Sequence, residues 1–550
     1  MKKLVYMVLA CLCSTVVLAE TVTQERAQQV GMAFLSNITQ AEKRSINVQA
    51  NTTADIVNLS ANGLPDLYLL NSANGWVIMS NDTRAQPILA YSAARSTLDI
   101  NNIPDGMADL LSQYNDEIRY MRDCFPEVEE HPQWQQISLG VMNTSEDKKV
   151  IERCTQVLWG QSKNNDNGCK PSYNMLCPSF YSVKCNRTTV VGCVAVAMAQ
   201  IMWYYKWPLY ATLVPDSISI DGVPSTDIHT QWYDWDLMPP TLHKNTPNAE
   251  SSMVATLLRD CGYTVEMEYG PKDSGALPPN AMNALKTVFG YGDGMSFEFR
   301  KDYSHDDSKW IQKIKAEIDA NRPVLYTGYQ SNGKGHSFVI DGYRDQWFHL
   351  NWGWADTIAN NAFYSLGRII TFGIVEPLSY DQQAIFGIEP AIAHTSAVIS
   401  GLQMTNPLIR IICGDITLNN TIIPTTSSAH IYSGTQIRLT GNCRLMAGSN
   451  VHIAIKDLPC DDYSGTRSAP AAHKAPSIEN EEDTDSNSDI STQIQTSTTI
   501  DHITVYNVSG QLLQTIYGAA ADLSFLPSGF YVLQKHMTDG SVVSETIAKH

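Results

Sequence analysis

The sequence predicts an α+β chain built of several domains, and three observations carry that expectation. The stretch from Cys193 to Tyr205 is apolar almost all round, as a helix buried at the centre of a domain must be. Residues 336–342 and 347–352 read as a pair of strands packed with aromatic and β-branched residues. Beyond residue 392 the texture changes to short strands punctuated by Gly, Asn and Thr. A chain of 550 residues is also too long for one core, so two to four domains are expected.

The N-terminus carries Lys2 and Lys3, an apolar run from Leu4 to Val17, and the small-residue site VLA (17–19). That is the layout of a cleavable export signal over residues 1–19. The run is shorter than the about 20 residues a membrane-spanning helix needs. A lipid anchor through Cys11 is the alternative, with a very short apolar core. No later stretch is long and apolar enough to span a membrane, so an exported, soluble protein is expected. Cys11 and Cys13 leave with the signal, so ten of twelve cysteines remain. Export permits disulfides. Local disulfides or buried thiols are expected among Cys169, Cys177 and Cys185 and among Cys413, Cys443 and Cys460, with no pairs assigned. A zinc site is the alternative, unsupported by C-x-x-C or paired-His spacing.

Residues 20–139 read as a small α+β unit. ERAQQVGMAFL (25–35) has helical apolar spacing, DLYLL (66–70) and GWVIM (75–79) form a hairpin signal, PILAY (87–91) is a further strand, and 107–121 a second helix. Residues 140–392 hold most of the aromatics. Residues 393–460 form a small all-β module in which QIRL (436–439) and VHIAI (451–455) alternate as half-exposed strands do. Residues 461–499 are Ser, Thr, Asn, Asp, Glu and Pro, a composition that cannot bury enough apolar surface to order itself, so a linker is expected. Residues 500–550 return to β-like patterning and read as a compact sandwich.

The formal net charge is −18. A surface that acidic repels phosphates, which argues against nucleic acid or anionic lipid as partner.

The chemistry concentrates in two places. Cys193 follows Gly192, which lets the backbone turn before the helix, while Thr188 and Thr189 offer hydroxyl caps. A sulfur at a helix N-terminus is favoured as thiolate, and the Cys193 N–H is placed to donate to an oxyanion. A plain core cysteine is the other reading of this segment alone. In GHSFVIDGY (335–343), His336 stands at the mouth of a strand after the turn at 331–334. Asn351 in HLNWGW (349–354) is expected to return beside it and fix its tautomer. Trp352 and Trp354 would shield that bond. A thiolate–imidazolium pair oriented by an amide is a nucleophile for acyl transfer. His349 is read as structural and His305 as a surface residue. Gln161 in WGQ (159–161) lies upstream of the cysteine and is a candidate second oxyanion donor.

The strings GCVAVAMAQIMWYYKWP (192–208), GHSFVIDGY, HLNWGW and SYDQQAIFGIEP (379–390) resemble streptopain-type, papain-like cysteine peptidases, and the 143-residue step from Cys193 to His336 fits papain-type spacing. The resemblance implies Cys193 as nucleophile, His336 as base, Asn351 and Trp352 as its orienting pair and Gln161 in the oxyanion hole. AFL (33–35), GWVIMSND (75–82) and PILAYS (87–92) resemble the family's inhibitory propeptide, so similarity spans roughly residues 25–390. Val196 stands where the family usually has Thr, and Ala355 where it has a second glycine after WGW. The C-terminal VYNVSGQLL (505–513) and LPSGFYVL (526–533) resemble a type IX secretion sorting domain, with an ordinary β-sandwich adhesion module as the alternative.

A secreted endopeptidase made as a zymogen is the expectation. It acts on protein and peptide substrates, has its own propeptide as inhibitor and the type IX secretion machinery as partner, and uses no cofactor or metal. Processing is placed around Glu146-Asp147-Lys148-Lys149. The competing readings are an inactive relative serving as a surface adhesin, and a thiol acyltransferase of the transglutaminase kind, which generally has an Asp where Asn351 stands.

Overall fold

The structure, a computed structural model, describes residues 19–41, 54–140, 147–161, 172–182, 185–217, 227–271, 273–303, 307–329, 335–355, 358–360, 362–366, 382–392, 397–402, 408–446, 449–456, 458, 500–507, 512–517, 529–537 and 542–549. The export signal and the linker 461–499 lie outside these residues, except that Ala19 is described.

The chain divides into two compact units, the first running to Ala391. Its N-terminal part holds α1 (Gln24–Ala41), β1 (Asp55–Leu59), β2 (Leu64–Ser72), β3 (Gly75–Ser80), β4 (Ile88–Ser92), α2 (Asp105–Cys124) and α3 (Gln133–Ser138). The expected helices and hairpin are present, each longer than the sequence pattern suggested. β3 is buried along its whole length. Apolar residues at every position suit a strand covered on both faces. α2 buries Met107, Leu110, Leu111, Tyr114, Ile118 and Met121, the three-and-four spacing of a one-faced helix.

The remainder of this unit comprises β5 (Lys148–Val150), β6 (Ser179–Ser182), β7 (Cys185–Thr188), α4 (Cys193–Tyr205), β8 (Tyr210–Pro215), β9 (Ile228–Trp232), α5 (Asn248–Thr264), α6 (Pro278–Thr287), β10 (Ser296–Phe299), α7 (Asp307–Asp319), β11 (Val324–Tyr329), β12 (Gly335–Arg344), β13 (Trp347–Asn351), β14 (Ala362–Ser365) and β15 (Gln382–Phe386). One sheet runs through both parts in the order β1-β2-β3-β4-β14-β13-β12-β11-β15-β10, with β5 also on β12. The join is β14 against β4, where Phe363 pairs with Tyr91 and Tyr364 with Ala90. Aromatic packing seals it: Tyr91 stacks on Phe363 with ring centres 5.3 Å apart, and Phe34 and Trp347 meet Tyr91 edge-on.

The processing segment is less free than the sequence suggested. Lys148 to Val150 is a strand paired with Arg344 to Gly342, Asp147 binds Lys315 at 2.6 Å, and Lys149 Nζ donates to the Asp319 carbonyl at 2.7 Å. A strand held in a sheet is a poor protease substrate, since cleavage needs extended, unpaired backbone.

The second unit begins at Ile392. It contains β16 (Ala397–Leu402), β17 (Leu408–Ile412), β18 (Ile416–Ile423), β19 (Ser428–Ser433), β20 (Ile437–Thr440), β21 (Arg444–Leu445) and β22 (Asn450–Ile455). All pairings here are parallel: β16-β18-β20 in one sheet, β17-β19-β22 in another, with β21 on β18. Ala397, Ile416 and Ile437 stack in one column, and Leu408, Ala429 and Val451 in a second. That is a coiled β-solenoid with a repeat of about 20 residues, a more specific architecture than the all-β module expected. Residues 500–550 supply β23 (Ile500–Asn507), β24 (Leu512–Tyr517), β25 (Gly529–Met537) and β26 (Val542–Lys549), an antiparallel sheet in the order β24-β23-β25-β26. The described residues form this single sheet, whereas a sandwich would need two.

Cys154, Cys177 and Cys261 are buried free thiols, Cys443 is free and half-buried, and Cys413 is in a disulfide. Among the described residues no helix is long and apolar enough to cross a membrane.

Candidate active site

Cys193 is the first residue of α4, whose remaining twelve residues are all buried. Gly192 caps the helix with φ +90°, a conformation side chains resist, and a Cβ there would meet the Met267 sulfur at 2.6 Å. The cap expected from Thr189 is absent, and the Thr188 side chain lies outside what the structure describes. Thr189 Oγ1 instead donates to the Pro178 carbonyl at 3.0 Å, and no side chain caps α4. The first-turn N–H groups therefore stay available.

His336 is buried and enters from the second residue of β12. Its Nε2 lies 2.8 Å from the Trp352 carbonyl oxygen, which leaves Nδ1 for the sulfur of Cys193. Burial alone would push the Cys193 thiol up, yet its pKa is lowered: the imidazolium charge and hydrogen bond of His336, with the backbone at Ser337 and Val194, outweigh desolvation. Burial would likewise depress His336, but the Cys193 charge and hydrogen bond, the Trp352 carbonyl and the Asp109 charge raise it. Opposite shifts on two touching groups favour the thiolate and the imidazolium over the neutral pair.

Asn351 does not take the place expected for it. Its Nδ2 donates to the Val157 carbonyl at 2.7 Å, and its Oδ1 accepts from Gln200 Nε2 at 3.1 Å and from the Gly353 N–H at 3.2 Å. The reason is a bulge in the strand pair between Ile340 and Gly342, which sets Asn351 opposite Val339. Alternate residues of a strand point to opposite faces, so Val339 and Asn351 face away from His336. Trp352 falls on the histidine side, its ring 6.2 Å from the imidazole and 4.7 Å from Phe338. Its carbonyl stands beside the imidazole Nε2, where the Asn351 amide was expected.

Gln161 is half-buried, and its N–H donates to the Gly353 carbonyl at 3.1 Å, beside a bridge between Gly160 and Trp354. The WGQ segment is thus tied to the loop after β13. His349 is buried and bonded through Nδ1 to Asp341 at 2.6 Å, a structural contact. His305 lies outside the described residues.

Gln200 was missed by sequence reasoning. Fully buried on α4, it donates from Nε2 to the Trp159 carbonyl at 2.9 Å as well as to Asn351, joining the helix, the WGQ segment and the end of β13. The signal was there: a lone amide in an otherwise apolar helix must find partners. Among the described residues no group of three or more His, Cys, Asp or Glu converges on a metal-sized site.

The histidine side of the site is covered by α2. Gly106 lies against the imidazole, and Asp109, Leu110 and Gln113 on the same helix line a pocket whose far wall includes Tyr326, His336, Phe338 and Trp352.

Residues 167–364 match the Peptidase C10 family, and residues 19–118 match the Spi protease inhibitor. Streptopain of Streptococcus pyogenes is 30% identical over 346 residues, 59% of this chain and 81% of that protein. The thiol protease/hemagglutinin PrtT of Porphyromonas gingivalis is 26% identical over 425 residues, 74% of this chain and 46% of its own length. Prointerpain A of Prevotella intermedia superposes with a TM-score of 0.44 at 23% identity, covering 58% of this chain and 95% of that one.

Proposed function

Because this chain belongs to the peptidase C10 family of streptopain, we propose a division of labour for the residues of its site. The chain is a cysteine protease that carries an inhibitor domain at its N-terminus. Cys193 attacks the scissile carbonyl carbon as thiolate, and the oxyanion so formed takes hydrogen bonds from the Cys193 N–H and the Gln161 side chain. His336 gives its proton to the leaving amine, which departs with the breaking C–N bond and leaves a thioester on Cys193. His336 then takes a proton from water, the hydroxide adds to the thioester, and the carboxylic acid leaves as the thiolate re-forms. Trp352, through its carbonyl and its ring, holds the imidazole in line. Asn351 acts one step removed, fixing the backbone from which the Trp352 carbonyl projects.

The observation that carries this reading is the hydrogen-bonded contact of Cys193, at the N-terminus of a buried helix, with a His336 held by the Trp352 carbonyl. Its test is Cys193→Ala, compared with the parent after both are processed by limited proteolysis. Loss of casein and peptide hydrolysis with an unchanged melting temperature supports it, and retained proteolysis overturns it.

The covering of His336 by α2 supports a zymogen in which residues 20–139 block the cleft until removed, leaving a catalytic domain over 140–392. Residues 1–19 act as an export signal, and 500–550 as a type IX sorting domain that delivers the enzyme to the cell surface or medium. A reporter fused to residues 500–550 and expressed in a type IX-competent host tests the last point: it should reach the outer surface, and periplasmic retention contradicts the assignment.

A further inference from the structure

The pocket under α2 has a polar floor that the hydrolysis above does not use. Arg300 Nη1 donates to Gln382 Oε1 at 2.7 Å and to the Leu366 carbonyl at 2.8 Å, while its Nε donates to Asp307 at 3.1 Å. Trp310 Nε1 donates to the Tyr326 hydroxyl at 3.1 Å, and the Tyr326 hydroxyl donates to Gln382 Oε1. A guanidinium can only donate, so the Gln382 atom beside Arg300 must be the oxygen. The amide orientation is thereby fixed, and Nε2 faces the opposite way. There it meets Gln113 of α2, whose Oε1 accepts at 3.4 Å while its Nε2 is tied to Glu117 at 2.9 Å.

A buried donor with a fixed direction therefore points at a carbonyl oxygen supplied by the inhibitor domain, in the same pocket as His336. When α2 leaves, that N–H loses its protein partner and stays aimed into a cleft walled by Tyr326, Phe338, Trp352 and Leu366. In so apolar a setting an unmet donor is costly and a met one is selective.

We propose that Gln382 is a specificity-determining residue of the mature enzyme, donating from Nε2 to a carbonyl oxygen of the bound peptide where Gln113 stands in the zymogen. The oxygen comes from either the peptide main chain or an Asn or Gln side chain. The proposal rests on the peptidase reading of Cys193 and His336.

The test uses full-length Gln382→Glu, which keeps an oxygen for Arg300 and Tyr326 and replaces the donor with an acceptor. Gln382→Met, which conserves volume, is its companion should the first not fold. Both are processed by limited proteolysis, and active enzyme is counted by covalent titration of Cys193. The expected result is KM raised about tenfold with kcat within about twofold of the parent. A loss confined to substrates carrying Asn or Gln identifies a side-chain carbonyl, and an even loss across a panel identifies the main chain. Unchanged KM for every substrate, or a fall in kcat alone, overturns the proposal. A parent enzyme with neither titratable Cys193 nor hydrolysis would instead overturn the peptidase reading itself.

Discussion

Gly106 of α2 lies so close to His336 that a Cβ added to the glycine would come within 2.3 Å of imidazole Cδ2 and 3.0 Å of the Trp352 ring. The inhibitor helix thus rests its bare backbone on the His336 ring, where any side chain would collide with it. Inhibition here needs no inserted plug. A helix laid flat on the imidazole denies substrate the histidine face of the cleft.

A side chain at position 106 should therefore lift α2. Gly106→Val in the full-length chain is expected to raise the rate of Cys193 modification in the unprocessed protein at least about tenfold, which corresponds to roughly 1.4 kcal/mol of lost docking. Mass spectrometry of intact protein over time measures it. An unchanged rate would mean that α2 does not gate access.

The N-terminus of the active form should lie upstream of Asp147. β5 is part of the catalytic sheet, so cleavage within Lys148–Val150 would remove a strand from β12. Edman sequencing of the active form locates the cut, and a first residue at Lys148 or later would contradict the assignment. Substituting Lys148 and Lys149 by Gln should leave processing intact.

Gln200 and Asn351 should behave as structural partners of the site. Gln200→Leu takes from the Trp159 carbonyl its buried amide donor and from Asn351 Oδ1 one of its two donors, the Gly353 N–H remaining, and is expected to cost about 1–3 kcal/mol of stability. Asn351→Ala should do the same through the Val157 carbonyl and Gln200. Both should lower kcat less than His336→Ala does. Urea unfolding alongside kcat measures the two effects, and a loss for Asn351→Ala equal to that for His336→Ala would restore it as the direct orienting group.

The pH profile follows from the paired shifts. The thiol's transition is displaced down from its usual 9.0 and the imidazolium's up from its usual 6.5, so acid protonates the thiolate and alkali strips the imidazolium. Activity should rise on the acid side as Cys193 ionises and fall on the alkaline side as His336 deprotonates. The pH profile of kcat/KM for the processed enzyme checks this, and a rate that does not fall on the alkaline side would contradict it.

In the second unit, His430 and His452 stack with ring centres 4.8 Å apart and planes 8° from parallel, in register on adjacent rungs. Burial, and then the neighbouring ring, lower the His430 pKa to about 4 from 6.5. The unfolded chain takes up that proton first as pH falls, so the solenoid should lose stability between pH 6.5 and 4. Calorimetry should show its transition moving down on acidification, and less so in His452→Gln; an unmoved transition contradicts it.

Much of the site was legible because its chemistry is local. A cysteine after glycine at the head of an apolar helix, and a histidine opening an aromatic strand, declare themselves in short windows. The Asn351 error was not local. It turned on a bulge between Ile340 and Gly342, and a one-residue slip in register moves a side chain to the other face of the sheet. The solenoid was hidden for another reason. Its columns equate residues about 20 positions apart that share shape but not identity, such as Leu408, Ala429 and Val451. The continuation of the catalytic sheet into β4 depended on a long-range pairing that no spacing announces.

The central claim is a Cys193 thiolate held ready beside His336 and shut off by α2. It is tested most directly by labelling with an epoxide inhibitor of papain-type enzymes before and after limited proteolysis, with peptide mapping. The account predicts modification of Cys193 alone, and only once the N-terminal domain has been trimmed. Absence of label at Cys193 in every processed form would contradict it.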